Sequence, residues 1–473
     1  MVELALGITR LSEQGESIFD DPDDDVPSEV FLPLAKETTD PIPALRDVEP
    51  KIAAVAPDGK GLQDPSDDEG AGNTVVVLQD PEGLAPKAVV LSTMAYALAT
   101  LFNGRRSAEE VAKLFNERYR QELKPTQALE LQVELDKSLF LQSRRFEHTF
   151  KRQLHEYLEL DIRPATHAGV AYPADPDALK QTIAGFFTAP DGPDEGADKP
   201  AEIPAPTAHT LLAAVAPHID LRVGGATYAH AYKEILAHSE AEIFVIFGVA
   251  HQNPGDLLFN VSTKNFDTPL GLVTTEKEIA LKLQGAAGGD PVLAELANRG
   301  EFSVEFQAVL LTAMMQERNR KFSIIPVLCG SVERFLADDT NPMDAKVFKN
   351  FCKTLRTELD KSGKKWCVLC SVDMSHVGPE FNHSTMVGER LLPAIRRGDM
   401  KILQPVELLD ARAMFREVER TQNSRHVDGV LAMLAMLTVC DGLIHTGRLL
   451  HYDQMLKKNS HSAVSYAAMA FSA

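Results

Sequence analysis

The apolar positions of this chain follow two different patterns. Beyond about Thr207 they come as unbroken runs: Leu211 to Ala216, Ile243 to Val249, Phe322 to Leu328 and Trp366 to Cys370. A strand with one wet face alternates apolar and polar residues, whereas a strand that is apolar throughout is buried on both faces. Helical stretches such as Ala226 to Ala237 separate the runs, which predicts an α/β layer fold. Gly442 to His451 and Ala463 to Phe471 read as late, antiparallel strands. Val430 to Val439 reads as a core helix, about half the length of a membrane span.

The first third of the chain is patterned for a smaller unit. Val75 to Leu78 and Val89 to Leu91 predict a hairpin around the turn residues Asp80-Pro81-Glu82-Gly83. Ser92 can cap a helix through Leu101, which Asn103-Gly104 ends. Ser107 and Glu110 form a capping box ahead of Val111, Leu114, Phe115 and Tyr119 at helical spacing. Thr126 opens a third helix with Leu129, Val133, Leu135 and Leu139 mostly inward. The expected organisation is an acidic, disordered segment at 1–30 and a winged-helix-like α+β module at 31–143. A connecting helix at 144–162 and an α/β domain at 163–473 follow, with Ala189 to Pro206 as a surface loop of that domain.

Charge and cysteine content narrow the classes of function. A chain of 473 residues has room for two or three domains, and its net charge of −20 repels phosphate backbones, so nucleic acid is not an expected partner. Five cysteines in so long a chain argue against a disulfide framework and for reduced thiols in the cytoplasm. The N-terminus lacks the basic and apolar regions of a signal peptide, and no apolar run is long enough to span a membrane.

Candidate chemistry lies at strand ends. In open α/β sheets ligands collect beyond the carboxyl ends of the strands. Three apolar runs leave through a histidine there: Ala216-Pro217-His218, Val249-Ala250-His251 and Asp373-Met374-Ser375-His376. Imidazole is the commonest ligand for Fe, Cu and Zn, and two histidines with one carboxylate are the usual non-haem Fe(II) set. Cys367-Val-Leu-Cys370 matches C-x-x-C but lies inside an apolar strand, which favours packed thiols over a zinc or redox site. Gly224-Gly225 could cradle an anion at a helix start, though without nucleotide-binding spacing. Glu301-Phe302-Ser303-Val304-Glu305 is either a helix start capped by Ser303 or a means of aiming Glu305 into the pocket.

Several of these segments resemble the MEMO family, whose bacterial and archaeal members are called AmmeMemoRadiSam system protein B. The likeness rests on His167-Ala-Gly-Val-Ala-Tyr172-Pro173, the turns at His218 and His251, Thr268-Pro-Leu-Gly271, Phe302-Ser-Val-Glu305, Ser371-Val-Asp-Met-Ser-His376 and Val464-Ser-Tyr466, in that order. It implies an α/β sandwich like that of class III extradiol dioxygenases. The hairpin around Asp80 and the segment Leu101 to Glu110 are similar to PqqD-like domains, which implies a peptide bound at the hairpin edge. The MEMO resemblance also implies AMMECR-type and radical SAM proteins as partners.

The resemblance further implies a divalent metal, Fe(II) or Cu, on His218 and His251. The third ligand, a cysteine in some members, falls on Ser375, a poor ligand for soft or borderline metals; Asp373 could complete the set instead. Phe302 stands where many members carry histidine. On this reading the protein is a metal-dependent redox enzyme of a peptide or protein modification system, with His376 shuttling protons, Asp373 beside the metal and Glu305 orienting groups. The alternatives are a non-catalytic peptide-binding scaffold with a degenerate pocket and, ranked last, a hydrolase using Ser375 with His376.

Overall fold

The computed structural model describes residues 31–46, 48–55, 62–63, 74–80, 84–85, 87–206 and 208–473. The acidic segment 1–30 and turn residues 81–83 lie outside them. The chain divides into two compact units, one ending at Glu159 and one running from Leu160 to Ala473.

In the first unit, β1 (Glu49–Val55), β2 (Leu62–Gln63), β3 (Thr74–Gln79) and β4 (Val89–Ser92) form an antiparallel sheet in the order β2-β1-β3-β4. The sequence reading found β3 and β4 but not β1 or β2. The described part of β1 leaves Lys51 and Ile52 to solvent, so it lacks the apolar face that marks a strand. Four helices follow: α1 (Thr93–Ala99), α2 (Ala108–Tyr119), α3 (Pro125–Lys137) and α4 (Arg144–Glu159). Ser92 caps α1, and the Ser107–Glu110 capping box is formed on α2. The α3 face differs from the expected one. Val133 is 37% exposed, while Gln132 is buried, its amide bonded to both backbone groups of Ala35. A buried amide paired in this way costs little, so the polar residue can take the inward position.

The second unit adds β5 (Ile162–Arg163), α5 (Pro176–Thr188), β6 (Leu211–Ala216), α6 (Leu221–His238), β7 (Ile243–Val249), β8 (Phe259–Val261), β9 (Asn265–Phe266) and β10 (Thr274–Thr275). Then come α7 (Lys277–Ala287), α8 (Pro291–Arg299), α9 (Phe302–Glu317), β11 (Ser323–Cys329), α10 (Glu333–Ala337), α11 (Lys346–Ser362), β12 (Trp366–Ser371) and β13 (Asp373–Val377). The chain closes with α12 (Leu392–Glu407), α13 (Ala411–Thr421), α14 (Val430–Val439), β14 (Thr446–Lys457) and β15 (Ser462–Ser472).

The main sheet runs β10-β11-β7-β12-β6-β15-β13, with β8 on β11 and β14 on β15. The segment from β10 to β6 is parallel, and β15 joins β6 antiparallel. Alternation within the apolar runs feeds two cores. Val245 and Phe247 face helices α11 to α14, whereas Phe244 and Ile246 face α5, α6 and α9. Cys367 and Cys370 fall on opposite faces of β12 by the same rule, and all five cysteines are buried and free. The Gly224-Gly225 pair packs rather than cradles: a Cβ on Gly225 would lie 2.3 Å from the Phe186 ring. No described helix is long and apolar enough to cross a membrane.

One detail of topology builds the site. β14 runs along the whole of one edge of β15, so β6 and β13 share the other. β6 pairs with Met469 to Ser472 and β13 with Ala463 to Tyr466, which sets β13 directly beyond the carboxyl end of β6.

Candidate metal centre

Four side chains converge beyond the ends of β6 and β7. His218 follows β6 through Pro217, and His251 lies two residues past β7. His376 comes from β13, and Asp428 from the turn before α14. Asp428 Oδ2 lies 3.2 Å from His218 Nε2 and 4.0 Å from Nε2 of both His251 and His376. Ligand atoms of His218, His251 and Asp428 all lie within 4.8 Å of one another, close enough to hold one metal ion.

The imidazoles are oriented from behind. His218 Nδ1 lies 2.9 Å from the Ser371 carbonyl, which can only accept, so Nδ1 carries a proton and Nε2 is the nitrogen left for a metal ion or a second proton. His251 Nδ1 meets the Glu301 carboxylate at 3.0 and 3.1 Å, with the same consequence. His376 Nδ1 faces the carbonyls of Met374 and His426 at 3.2 Å. A carboxylate or carbonyl behind a histidine is the usual support of a metal ligand. Among the described residues, His218 Nε2 and Asp428 Oδ1 are buried without a hydrogen-bond partner. Buried polar atoms are nearly always satisfied, so two orphans in one cluster suit a cation-binding site.

The electrostatics agree. Burial resists charging His218, but Asp373 and Asp428 outweigh it and push its pKa up to about 10. A field that holds a proton this firmly also favours a divalent cation. Burial would raise the Glu301 carboxyl, yet His251 brings it down to about 2. Side-chain exposure rises from 2% at His218 to 17% at His376 and 35% at His251, so solvent reaches the cluster from the His251 side. There Phe302 stacks on His251 at 4.6 Å and meets His218 edge-on at 5.5 Å, forming an apolar wall.

Of the six residues expected from sequence, the structure gathers four. Asp373 accepts the backbone N–H groups of His218 and Ile219 on Oδ1 and leaves Oδ2 3.8 Å from His218 Nε2. Three positions apart on a regular strand, Asp373 and His376 would face opposite ways. The register shift between them turns both toward the cluster.

Ser375 is a correction. Alternation turns it away from His376, and its hydroxyl donates to buried Asp399 and accepts from Arg425 Nε. It is not among the clustered ligands, and Asp428 stands in the place expected for it. Glu305 is a second correction. Its oxygens are taken by Arg163 Nη1 at 2.6 Å, the Thr166 hydroxyl, the His167 N–H and the Tyr172 hydroxyl. Burial opposes its charge, but Arg163 holds its carboxyl well below the usual range. It ties the segment 163–172 to α9 and stays outside the cluster. The helix start at Glu301 is capped by that residue, not by Ser303: Glu301 accepts the Ser303 N–H.

Sequence reasoning missed Asp428 and Glu301. Asp428 ends no strand and belongs to no local ligand pattern. Glu301 offered one signal, an acidic residue at a helix start.

Together the fold and cluster define an α/β protein with a two-histidine, one-carboxylate site at the carboxyl edge of its sheet. The chain belongs to the Memo family, whose model, described as Memo-like protein, matches residues 163–470. It is 25% identical over 401 residues to a MEMO1 family protein of Aquifex aeolicus, covering 84% of this chain and 95% of that one. It is 25% identical over 314 residues to one of Thermococcus kodakarensis (66% and 99% covered) and 26% over 311 residues to one of Methanosarcina barkeri (65% and 99%). The Aquifex match extends beyond the segment that the family model covers.

Proposed function

We propose that the chain is a cytoplasmic, metal-dependent redox enzyme that binds Fe(II) through His218, His251 and Asp428. The observation that carries this reading is the convergence of three Nε2 atoms on Asp428 Oδ2 at 3.2 to 4.0 Å. Two imidazoles and a carboxylate without thiolate favour Fe(II) over Cu(I), which prefers soft sulfur ligands. When bound, the metal supplies Lewis acidity and a path for electrons between substrate and O2. His376 Nε2, beside the ligands but outside the set, is placed to move a proton. Asp373 holds the His218 turn by its backbone, and Phe302 keeps water from one side.

Anaerobic purification and iron reconstitution with elemental analysis test this reading. The wild type is expected to retain about one equivalent, and a His218→Ala, His251→Ala double variant close to none. Equal iron in both proteins would sink the proposal.

The N-terminal unit supports a second element. Among the described residues strand β4 ends its sheet, with Val90 49% exposed, and such an edge can accept an added strand. On this reading a PqqD-like module presents a peptide substrate in a modification system that includes AMMECR-type and radical SAM proteins. A pull-down that is lost when Val90 is replaced by proline tests it. The hydrolase reading has no support, because Ser375 and His376 point to opposite sides of β13.

A further inference from the structure

Asp428 is the weakest-founded of the three ligands. His218 and His251 follow strands, but Asp428 lies in the irregular segment between α13 and α14, residues 422–429. Backbone of this kind holds a ligand to the tolerance a metal needs only if it is braced and anchored to rigid elements.

Asn423 braces this segment from within, its side-chain amide bonded to both backbone groups of Val427 at 3.0 Å, and Arg425 ties the braced segment to the sheet. Its Nε donates to Ser375 Oγ at 3.0 Å, and its guanidinium lies 3.8 Å from Asp399 Oδ1. The Ser375 hydroxyl donates in turn to Asp399, which is wholly buried and also accepts from Ser465 at 2.6 Å and Tyr452 at 2.7 Å. Room for the guanidinium exists because residue 398 is glycine: a Cβ there would lie 2.6 Å from Arg425 Cζ. The Arg425 carbonyl accepts the His376 N–H at 2.8 Å, so one residue is joined to β13 by side chain and main chain. Gly429, just after Asp428, lies so close to Val372 that a Cβ would approach it to 2.4 Å.

We propose that Arg425, latched through Ser375 to the buried carboxylate of Asp399, is a positioning residue that sets Asp428 against the imidazoles. The proposal rests on the reading of His218, His251 and Asp428 as metal ligands. It gives Ser375 a place in the site different from ligation. The serine strand carries His376 on one face and, on the other, the hook for the loop that brings the carboxylate.

Anaerobic titration of the full chain with Co(II), read by its visible spectrum, tests this. Wild type is expected to bind one equivalent. Ser375→Ala and Arg425→Met are expected to bind about 10–100-fold more weakly, with a shifted spectrum. Ser375→Thr, which keeps the hydroxyl, is expected to restore most of the affinity. Thermal unfolding of the metal-free proteins shows which variants fold; if Arg425→Met does not, Ser375→Ala carries the same test. Wild-type affinity and spectrum in the variants would overturn the positioning role while the metal reading stands. Failure of the wild type to bind Co(II) would overturn both.

Discussion

Nε2 of His218 faces Oδ2 of Asp428 at 3.2 Å, and among the described residues neither that nitrogen nor the other carboxylate oxygen, Asp428 Oδ1, has a hydrogen bond. Two groups carried by separate layers of the fold meet where the imidazole is buried and the carboxylate nearly so. Such a pair is costly unless a cation joins it.

Replacing Asp428 should therefore act mainly on metal affinity. Asp428→Asn is expected to weaken Co(II) binding by about 10-fold or more, while Asp373→Asn, whose Oδ1 serves backbone groups, acts mainly through the His218 turn. Parallel titrations of the two variants separate ligand from support.

A cysteine at position 375 should not become a ligand. Its side chain would face Asp399, so Co(II)-loaded Ser375→Cys is expected to show no thiolate-to-metal charge-transfer band near 300–400 nm, about where such bands fall, and an intense band there would place the side chain inside the site.

Glu301 combines two tasks, orienting His251 and capping α9. Glu301→Gln keeps a capping oxygen but removes the charge, and is expected to cost about 10–100-fold in metal affinity. Glu301→Ala should also lose about 1 kcal/mol of stability, measured by denaturant unfolding of the metal-free protein.

Glu305 contributes to stability in acid. Its carboxyl is held far below its unfolded value, so its contribution is complete above about pH 4.5 and is lost as pH falls toward the folded value. Below pH 4.5 the unfolded chain takes up a proton that the folded chain refuses, and stability drops. Arg163→Met leaves this buried charge without its partner and is expected to cost about 3–5 kcal/mol at neutral pH. Urea midpoints from pH 3 to 7, for wild type and Glu305→Gln, should show an acid slope in the first that is reduced in the second.

Packing makes its own prediction. Gly225→Ala would press a methyl group into Phe186 and is expected to cost about 1–3 kcal/mol without changing metal affinity. A wild-type unfolding midpoint would show that α5 and α6 have slack that the structure denies.

By itself the sequence determined the layers of the α/β unit and two of the clustered histidines. Runs apolar on both faces leave a strand no choice but the middle of a sheet, and His218 and His251 come straight off such strands. Tertiary structure decided the rest. Whether Ser375 or His376 entered the site depended on which face of β13 met β15, and the register shift that also admits Asp373 has no local signature. Asp428 reached the cluster only because α14 packs its apolar length into the core and delivers the preceding turn to the sheet edge. A site residue brought by packing rather than by a strand leaves no periodic mark in the chain.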